Sequence, residues 1–465
     1  MSQDAKDEIF ADGMTEELIS ALSKIADLRV IARTSVMRYK NSKKPIGEIG
    51  KELNISAILE GSVRKAGNKI RIAIQLVDPE TEEQLWSEKY DRDLEDIFAV
   101  QSEIAQKVAD ELEVQIRKTE RLNLSKKATD SKEAYTLYLE GRHFLNTRTE
   151  ESLRKAIELF DKALKKDPQY ALAYTGVADS YAVLALLEFL PPKDAFPKAR
   201  TAAEKALEID NRLAEAHTSL GVVRFQYDWD WEGAEKEFKR AIELNPSYAP
   251  AHQFYADFLK SQGRFDEALS EMSYASALDP LSLSINTGIG HVLYLSRQYD
   301  KAIEQYKNTI KLDPNFIQAR LWFGRPYLQK RMYNESIAEL DQAVALSGGS
   351  TISLAMLGHA NGTAGRKVEA KKILEKLMER SKKQYVPSYW IAMIYVGVGD
   401  RDQALKWLER AFQERSSWLV WARVEPRFDS LRQDPTFDSL LVRMRLTQRK
   451  DSGLGIRGWI KGPGK

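Results

Sequence analysis

The sequence of 465 residues contains no cysteine, which excludes disulfide bonds, thiolate metal sites and cysteine nucleophiles. Histidine is scarce as well. The five histidines are scattered along the chain, without the H-E-x-x-H spacing of a zinc site or the acid-flanked pairing of a general base. G-x-x-x-x-G-K-[ST] and G-x-S-x-G motifs are also missing. We therefore expect no catalytic residue, no metal site and no cofactor, and hence no enzymatic activity.

The chain also lacks an excess of charge of either sign. Lysine and arginine number 70 against 68 acidic residues, and the two signs are interspersed, so the net charge of +2 gives no electrostatic basis for wrapping nucleic acid. No long apolar run predicts a membrane span, and the polar N-terminus has no secretory signal. We expect a protein or peptide partner and a cytoplasmic location, with the periplasm as the alternative if an upstream anchor exists. The composition does not indicate an oligomeric state.

What the sequence does contain is an internal repeat. Asn245-Pro246, Asp279-Pro280 and Asp313-Pro314 recur at an interval of 34 residues, a period typical of stacked arrays of helix pairs. Proline ends each unit because it cannot continue the preceding helix and can begin the next one. In the second half of each unit, small and large apolar residues fall on one helical face, as in Ala234, Phe238 and Ala241, then Ala268, Met272 and Ala275.

This pattern resembles the tetratricopeptide repeat, because the period, the small residues, the large apolar residue and the final proline all agree. Counting outward from the three clearest units gives about eight repeats, from Tyr135 to roughly Ser417. Gly348 and Ser416 replace the proline of the sixth and eighth units. The resemblance predicts a mainly α fold, with an α-solenoid of tetratricopeptide repeats over residues 126–417.

A segment with a different periodicity precedes the repeats. Ile70, Ile72, Ile74 and Leu76 alternate with other residues at the two-residue period of a strand. The flanking residues predict the remaining elements: a helix opening at residues 12–17, a short strand at 28–32, a helix at 45–53, strands at 57–64 and 84–90, a hairpin connection at 65–69 and a helix at 94–116. We therefore expect a small α/β domain over residues 1–125.

This segment resembles the TolB amino-terminal-like domain, which is related to the FlgO fold. The resemblance is carried by four motifs: Phe10-Ala11-Asp12-Gly13-Met14-Thr15-Glu16-Glu17-Leu18, Leu59-Glu60-Gly61-Ser62-Val63-Arg64, Leu85-Trp86-Ser87-Glu88-Lys89-Tyr90-Asp91-Arg92 and Ile97-Phe98-Ala99-Val100-Gln101. In that family an apolar strand precedes the first helix, and residues 1–8 do not match it, so we expect the domain to lack its first strand in this chain. The family usually joins this domain and the repeats to an adenylate cyclase, a Ser/Thr kinase or a winged-helix transcription regulator.

The C-terminal part of the sequence predicts an ending for the solenoid. Apolar residues within 418–450 predict capping helices that cover the exposed face of the last repeat, and the Gly-rich, basic residues 451–465 predict a disordered tail. Gly453-Leu454-Gly455-Ile456-Arg457-Gly458 fits the dinucleotide fingerprint, but that motif works only between a strand and a helix. We interpret it as part of a flexible tail.

Two other stretches have a functional and a structural interpretation. Asp228-Trp229-Asp230-Trp231-Glu232-Gly233 imitates a calcium loop, but Lys239 stands at the position that needs a carboxylate, so we favour packing of the two tryptophans. The apolar insertion at residues 186–192 is either a ligand loop or a brace against neighbouring helices. We favour the brace.

The first helix of each repeat is expected to line the concave side of the superhelix, where partners bind. Large aromatic and cationic residues predicted on that surface are Tyr135, Tyr138, Arg142, Phe225, His291, Tyr294, Arg325 and Tyr389. We therefore predict a non-enzymatic interaction scaffold or sensor module in bacterial signalling, with an extended or aromatic-rich partner segment. The alternative is the regulatory C-terminal region of a cyclase, a kinase or a winged-helix regulator whose effector domain is absent from this chain.

Overall fold

A computed structural model describes residues 5–66, 69–93, 96–114, 116–117, 124 and 127–446. The N-terminal elements are α1 (Ala5–Ser23), α2 (Arg33–Val36) with a 3-10 turn (Met37–Tyr39), α3 (Ile46–Leu53), β1 (Ile58–Ala66), β2 (Lys69–Val77), β3 (Gln84–Asp93) and α4 (Ile97–Glu111). The expected dinucleotide-like motif and tail at 451–465 lie outside the described residues, as do the tip of the 65–69 connection and most of residues 118–126.

The three strands form an antiparallel sheet in the order β1-β2-β3. Alternate residues of the central strand are buried, among them Ile70, Ile72 and Ile74, which confirms the strand predicted from the two-residue period. The buried face packs with Met14 of α1 and Ile104 of α4. The three predicted strands at 57–64, 70–77 and 84–90 are therefore present. β1 ends two residues later than predicted and β3 three residues later, and the other four strand ends agree within one residue.

The predicted strand at residues 28–32 is wrong. Its backbone does not join the sheet, because the amide of Ala32 donates to the carbonyl of Leu278 at 2.7 Å, between repeats four and five. Nearby, Ser35 Oγ donates to Asp279 Oδ1 at 2.5 Å and Ser247 Oγ donates to the carbonyl of Leu28 at 3.0 Å. The polar groups of this stretch are therefore hydrogen-bonded to the repeat array and not to the sheet.

Sixteen described helices form eight consecutive pairs, as the repeat period predicts. The first helices of the pairs are α5 (Lys132–Thr147), α7 (Ala171–Leu186), α9 (Ala214–Val223), α11 (Ala249–Ser261), α13 (Leu283–Leu295), α15 (Ile317–Gln329), α17 (Thr351–Thr363) and α19 (Ser388–Val398). The second helices are α6 (Glu150–Lys166), α8 (Pro192–Ile209), α10 (Trp231–Leu244), α12 (Phe265–Leu278), α14 (Tyr299–Leu312), α16 (Tyr333–Leu346), α18 (Lys367–Ser381) and α20 (Arg401–Gln413). The chain is a tetratricopeptide-type α-solenoid preceded by a small α/β domain.

Within a repeat, the two helices approach closely at a glycine. A Cβ atom on Gly290 of α13 would lie 2.6 Å from the ring of Tyr306 of α14, and one on Gly221 of α9 would lie 2.7 Å from the ring of Phe238 of α10. Ala268 and Ala302, on the second helices, have no exposed surface. The small and large residues that define the repeat in the sequence are therefore the two sides of one contact.

A polar contact also recurs with the repeat. One side chain near the start of the first helix donates to the carbonyl oxygen six residues earlier and is bonded to a polar side chain of the second helix. The four examples are His217 with Glu237, His252 with Glu271, Asn286 with Gln305, and Arg320 with Glu339. These bonds satisfy turn carbonyls and fix the angle between paired helices.

The first helices of all successive repeats pack on one another, whereas the second helices of successive repeats make far fewer contacts. The first helices therefore lie on the inner, concave side of the array and the second helices on the outer side. After α20, the chain continues through two 3-10 turns (Ser417–Trp421 and Pro426–Leu431) to α21 (Pro435–Arg443).

Candidate functional site: the concave groove and the segment that fills it

The predicted partner-binding residues all belong to the first helices or, for Phe225, to the π-helical turn Arg224–Asp228 that extends α9. Seven of them are buried, and Arg142 retains 21 % exposure of its side chain. The residues therefore contact other parts of this chain in the structure. Their role toward an external partner stays a prediction, and it requires that the covering segments move.

The N-terminal domain covers the first repeat. Met14 of α1 lies beside the Tyr135 hydroxyl, which accepts a hydrogen bond from Gln101 Nε2 at 2.9 Å. Arg142 Nε donates to Glu16 Oε1 at 2.8 Å. Tyr138 instead packs on Phe160 of its own repeat and on Tyr170 at the start of repeat two, with ring centroids 5.9 and 5.1 Å apart. The predicted residues of repeat one thus contact α1, α4, the core of their own repeat and the start of repeat two.

A second covering element enters the groove from the other end. We call residues 416–446 the closing segment. Its Trp418 ring lies 5.0 Å from the ring of Trp390 and 5.4 Å from that of Trp322, and its Trp421 ring lies 5.6 Å from His291. Aromatic residues of repeats five, six and eight therefore surround two tryptophans of the chain's own C-terminal part.

The expected capping helices at 418–450 need a correction as far as the described residues reach. α21 does lie against the last repeat, because Arg443 pairs with Glu409 of α20. The two 3-10 turns before α21 fill the groove instead of covering the end of the array. Trp231 of repeat three donates from Nε1 to the carbonyl of Met444 at 2.9 Å. The closing segment thus spans the interior of the superhelix.

A buried ion network fixes the closing segment in the groove. Glu425 accepts hydrogen bonds from Tyr294 Oη at 2.5 Å and from Arg427 Nη2 at 2.9 Å, and its Oε2 lies 3.6 Å from Arg325 Nη1. All three ionic side chains are at most 2 % exposed. Burial alone would raise the pKa of Glu425, but the charges of Arg427 and Arg325 lower it to about 2.

Within this network of described residues, Arg325 has the most nitrogen atoms without a hydrogen-bond partner. Among the described residues, its Nε and Nη2 atoms have no hydrogen-bond partner, although its guanidinium group stacks on the Trp322 ring at 3.7 Å. Nη1 donates to His291 Nε2 at 3.3 Å. Burial, together with the neighbouring charge of Arg427, lowers the pKa of Arg325 to about 10. The buried guanidinium therefore depends on Glu425 for charge compensation.

The array also closes on itself through the insertion in repeat two. Glu188 accepts hydrogen bonds from the Nε1 atoms of Trp390 at 2.5 Å and Trp418 at 2.8 Å. This contact supports the interpretation of residues 186–192 as a brace, but its partner is the eighth repeat and not a neighbouring helix. Trp229 of repeat three similarly packs on Phe412 of α20, with ring centroids 5.1 Å apart.

The calcium-like stretch has structural roles, but its tryptophans reach beyond the turn of the third repeat, because Trp229 packs on Phe412 and Trp231 bonds to Met444. Asp228 pairs with Arg200, and Asp230 caps α10 by accepting from the amide of Gly233 at 3.1 Å. Over the part of the chain that the structure describes, no group of three or more His, Cys, Asp or Glu side chains is arranged to hold a metal ion. No described helix is long and apolar enough to cross a membrane.

Sequence reasoning missed the residues that fill the groove, namely Trp418, Trp421, Glu425 and Arg427. One signal was present: two of the nine tryptophans stand three residues apart in the apolar stretch Ser417–Trp421, directly after the last repeat. An apolar stretch of this kind needs a surface to cover it. Nothing local indicates that the surface is the groove of repeats three to eight.

Comparison with known proteins gives partial relatives. No family model matches the chain. A Rhizobium meliloti protein named "Putative adenylate cyclase 3" is 35 % identical over 227 residues, which is 48 % of this chain and 38 % of that protein. The Salmonella typhimurium "Transcriptional regulator HilA" is 29 % identical over 144 residues, 31 % of this chain and 26 % of the regulator. The chain therefore spans about a quarter to two fifths of these curated relatives.

Among solved structures, a tetratricopeptide repeat protein from Parabacteroides merdae is 12 % identical, with a TM-score of 0.42. The match covers 58 % of this chain and all of that one. The helix pairs and their period, described above, define the fold of this chain as a tetratricopeptide-type α-solenoid.

Proposed function

We propose that this chain is a non-enzymatic interaction scaffold in bacterial signalling, and that a partner segment binds its concave groove in place of the closing segment. One observation carries this proposal: the groove binds an irregular segment of the chain itself through two tryptophans, one glutamate and one arginine. Aromatic and arginine side chains are the residues that most often dominate binding energy at protein interfaces. The closing segment therefore indicates the chemistry that this groove recognises.

The partner has to reproduce the charge pattern as well as the aromatic groups. A partner that replaces the closing segment would bury Arg325 again without the carboxylate of Glu425, and a buried cation without a partner is strongly unfavourable. A partner segment that carries a carboxylate between large aromatic side chains meets this requirement. A wholly basic or wholly apolar segment does not.

The signalling role rests on the relatives. One is named as an adenylate cyclase and the other as a transcriptional regulator, and both are matched over only part of their length. The N-terminal α/β domain, which resembles the TolB amino-terminal-like family, would serve as the sensor or adaptor part. It is suited to that role because it contacts both the first repeat and the turns near repeat four.

Binding of a synthetic peptide tests whether the groove exchanges its occupant. The probe is a fluorescent copy of residues 416–431, titrated against the full chain. The tethered closing segment acts as a competitor at an effective concentration in the millimolar range, so wild type should bind weakly. Glu425→Gln weakens the tethered competitor, and the variant should bind the probe about tenfold more tightly or better.

The control probe carries alanine in place of Trp418 and Trp421 and should bind neither chain. If the wild-type probe also fails to bind the Glu425→Gln chain, the groove is a permanent core, and partners must bind elsewhere.

A second candidate function is the regulatory region of a longer signalling protein. The partial coverage of the two named relatives, 38 % and 26 %, favours it, because those proteins contain more than the matched part. The two candidates differ in the reading frame upstream of Met1. A continuing frame that encodes a cyclase, a kinase or a winged-helix domain would favour the second, and a stop codon there would favour the first.

A further inference from the structure

A second surface lies outside the groove, at the edge of the array where α6, α7 and α8 meet. It is an open cavity of about 670 Å³, which we call the edge basin. Its apolar lining includes Ile157, Leu184 and Leu190, and its polar rim includes Arg154, Lys193 and Lys198. None of the residues predicted for the groove lines it. No residue of the closing segment lines it either.

The insertion in repeat two builds this basin. The connection between α7 and α8 spans residues 187–191, whereas the connection between α11 and α12 in repeat four spans only 262–264. Glu188 anchors the longer connection to repeat eight, and Leu187 and Phe189 on either side of it are 41 % and 37 % exposed. Large apolar side chains exposed beside a concave surface are typical of interaction sites.

The charges at the rim are predominantly positive. Within the described residues, Lys193 forms no ion pair, and the ammonium group of Lys198 lies 5.1 Å from the centre of the Tyr181 ring and pairs with no carboxylate. Arg154 pairs with Glu150 on the same helix, but both partners are about half exposed, so this bond is weak. Among the described residues that line the basin, Asp194 alone is acidic. Two lysines are thus available to an anionic partner.

We propose that the edge basin docks an acidic protein segment, with one or two large aliphatic side chains on the apolar floor and flanking carboxylates on Lys193 and Lys198. Charge complementarity selects an acidic partner, and the floor selects an apolar anchor. Nucleic acid fits less well, because single strands need several stacking surfaces and duplexes need a longer row of cations. Here one aromatic ring, Tyr181, lines the basin, and a lysine already covers it.

The test uses the full chain and a short fluorescent peptide in which two leucines are flanked by glutamates. Fluorescence anisotropy should show binding to wild type. The double charge reversal Lys193→Glu with Lys198→Glu should weaken binding about tenfold or more, because like charges then face each other. Lys371→Glu with Lys372→Glu is the matched control, since those lysines are exposed on α18 and make the same change in net charge.

The control double variant should bind the peptide like wild type, and a peptide with serines in place of leucines should bind weakly. Equal losses in the two double variants would show that only the overall charge matters, which overturns the proposal. So would absence of peptide binding by wild type, or lysine-dependent binding of an RNA oligonucleotide or anionic vesicles in its place. Lys193 and Lys198 line the basin and not the groove, so their reversal should leave binding of the 416–431 probe unchanged, and failure of one proposal does not imply failure of the other.

Discussion

Replacement of Glu425 by glutamine tests the physical basis of the filled groove. The substitution keeps the shape of the side chain and removes its charge. Arg325 and Arg427 then remain buried without the carboxylate that lies 3.6 and 2.9 Å from them, and the new amide group presents donors to guanidinium donors. Breaking a buried ion pair in this way costs about 3–5 kcal/mol, because an uncompensated charge remains in the interior.

The matched control is Glu409→Gln. Glu409 pairs with Arg443 at the surface, with both side chains more than a third exposed, so the same chemical change should cost less than about 1 kcal/mol. Urea unfolding followed by circular dichroism gives both free energies. Tryptophan fluorescence adds a local signal, because Trp418 and Trp421 should become solvated if the closing segment leaves the groove before the repeats unfold.

The pH dependence supplies a second measure of the same contact. The pKa of Glu425 is lowered to about 2 in the folded state from its ordinary value of 4.5. The stability that this carboxylate contributes is therefore present above about pH 4.5 and is lost as the pH falls toward 2. Glu425→Gln should lose less stability than wild type in that window. Equal unfolding free energies for the two glutamine variants at neutral pH would refute the reasoning.

Two further predictions concern the repeat register and the brace. Ala268→Trp should lower stability by about 1–3 kcal/mol or more, because a large side chain cannot fit at a fully buried contact between helices, whereas Glu267→Ala on the exposed face should cost about 0.5 kcal/mol or less. Equal melting temperatures for these two variants would reject the register. For the brace, burial raises the pKa of Glu188 to about 7 from 4.5, so its contribution to stability decreases as the pH rises between those values. Glu188→Gln keeps an acceptor for the two tryptophans and should therefore melt higher than wild type at about pH 8, with a smaller difference at about pH 5. A pH-independent difference between Glu188→Gln and wild type in thermal melts would contradict this account.

The repeat array could be predicted because the residues that form each helix pair lie close together in the sequence and recur at a fixed interval. An interval of 34 residues, together with small residues at positions such as Gly290 and Ala302, is sufficient to place a helix pair, since the same contact recurs in every unit. The strand at Lys69–Val77 was predictable for a similar reason, because alternate burial leaves a two-residue pattern. Both predictions depend on residues close together in the sequence.

The wrong predictions concern segments whose structure depends on residues far away in the sequence. The stretch at 28–32 has β-prone residues, but its backbone is held by Leu278, about 250 residues away. α1 begins at Ala5, well before the predicted opening at 12–17, and contains Gly13. A Cβ atom on Gly13 would lie 2.9 Å from Leu139 of the first repeat, so packing against α5 explains a glycine inside a helix. Such contacts leave no period in the sequence.

The groove shows why surface position alone does not identify a binding site. The predicted residues were chosen because the first helices face inward, and that placement is correct. The interior of a superhelix that closes on itself, with Glu188 of repeat two bonded to Trp390 of repeat eight, is however a core as much as a surface. Tyr294 and Arg325 are anchors there, but the anchored partner is the segment around Glu425. Alanine at either position should therefore lower the stability of the free chain, and any loss of partner affinity has to be measured relative to that loss. Substitution of an interface residue that is also a core residue changes both the stability of the chain and its affinity for a partner. Substitution of the exposed lysines of the edge basin should change the affinity alone.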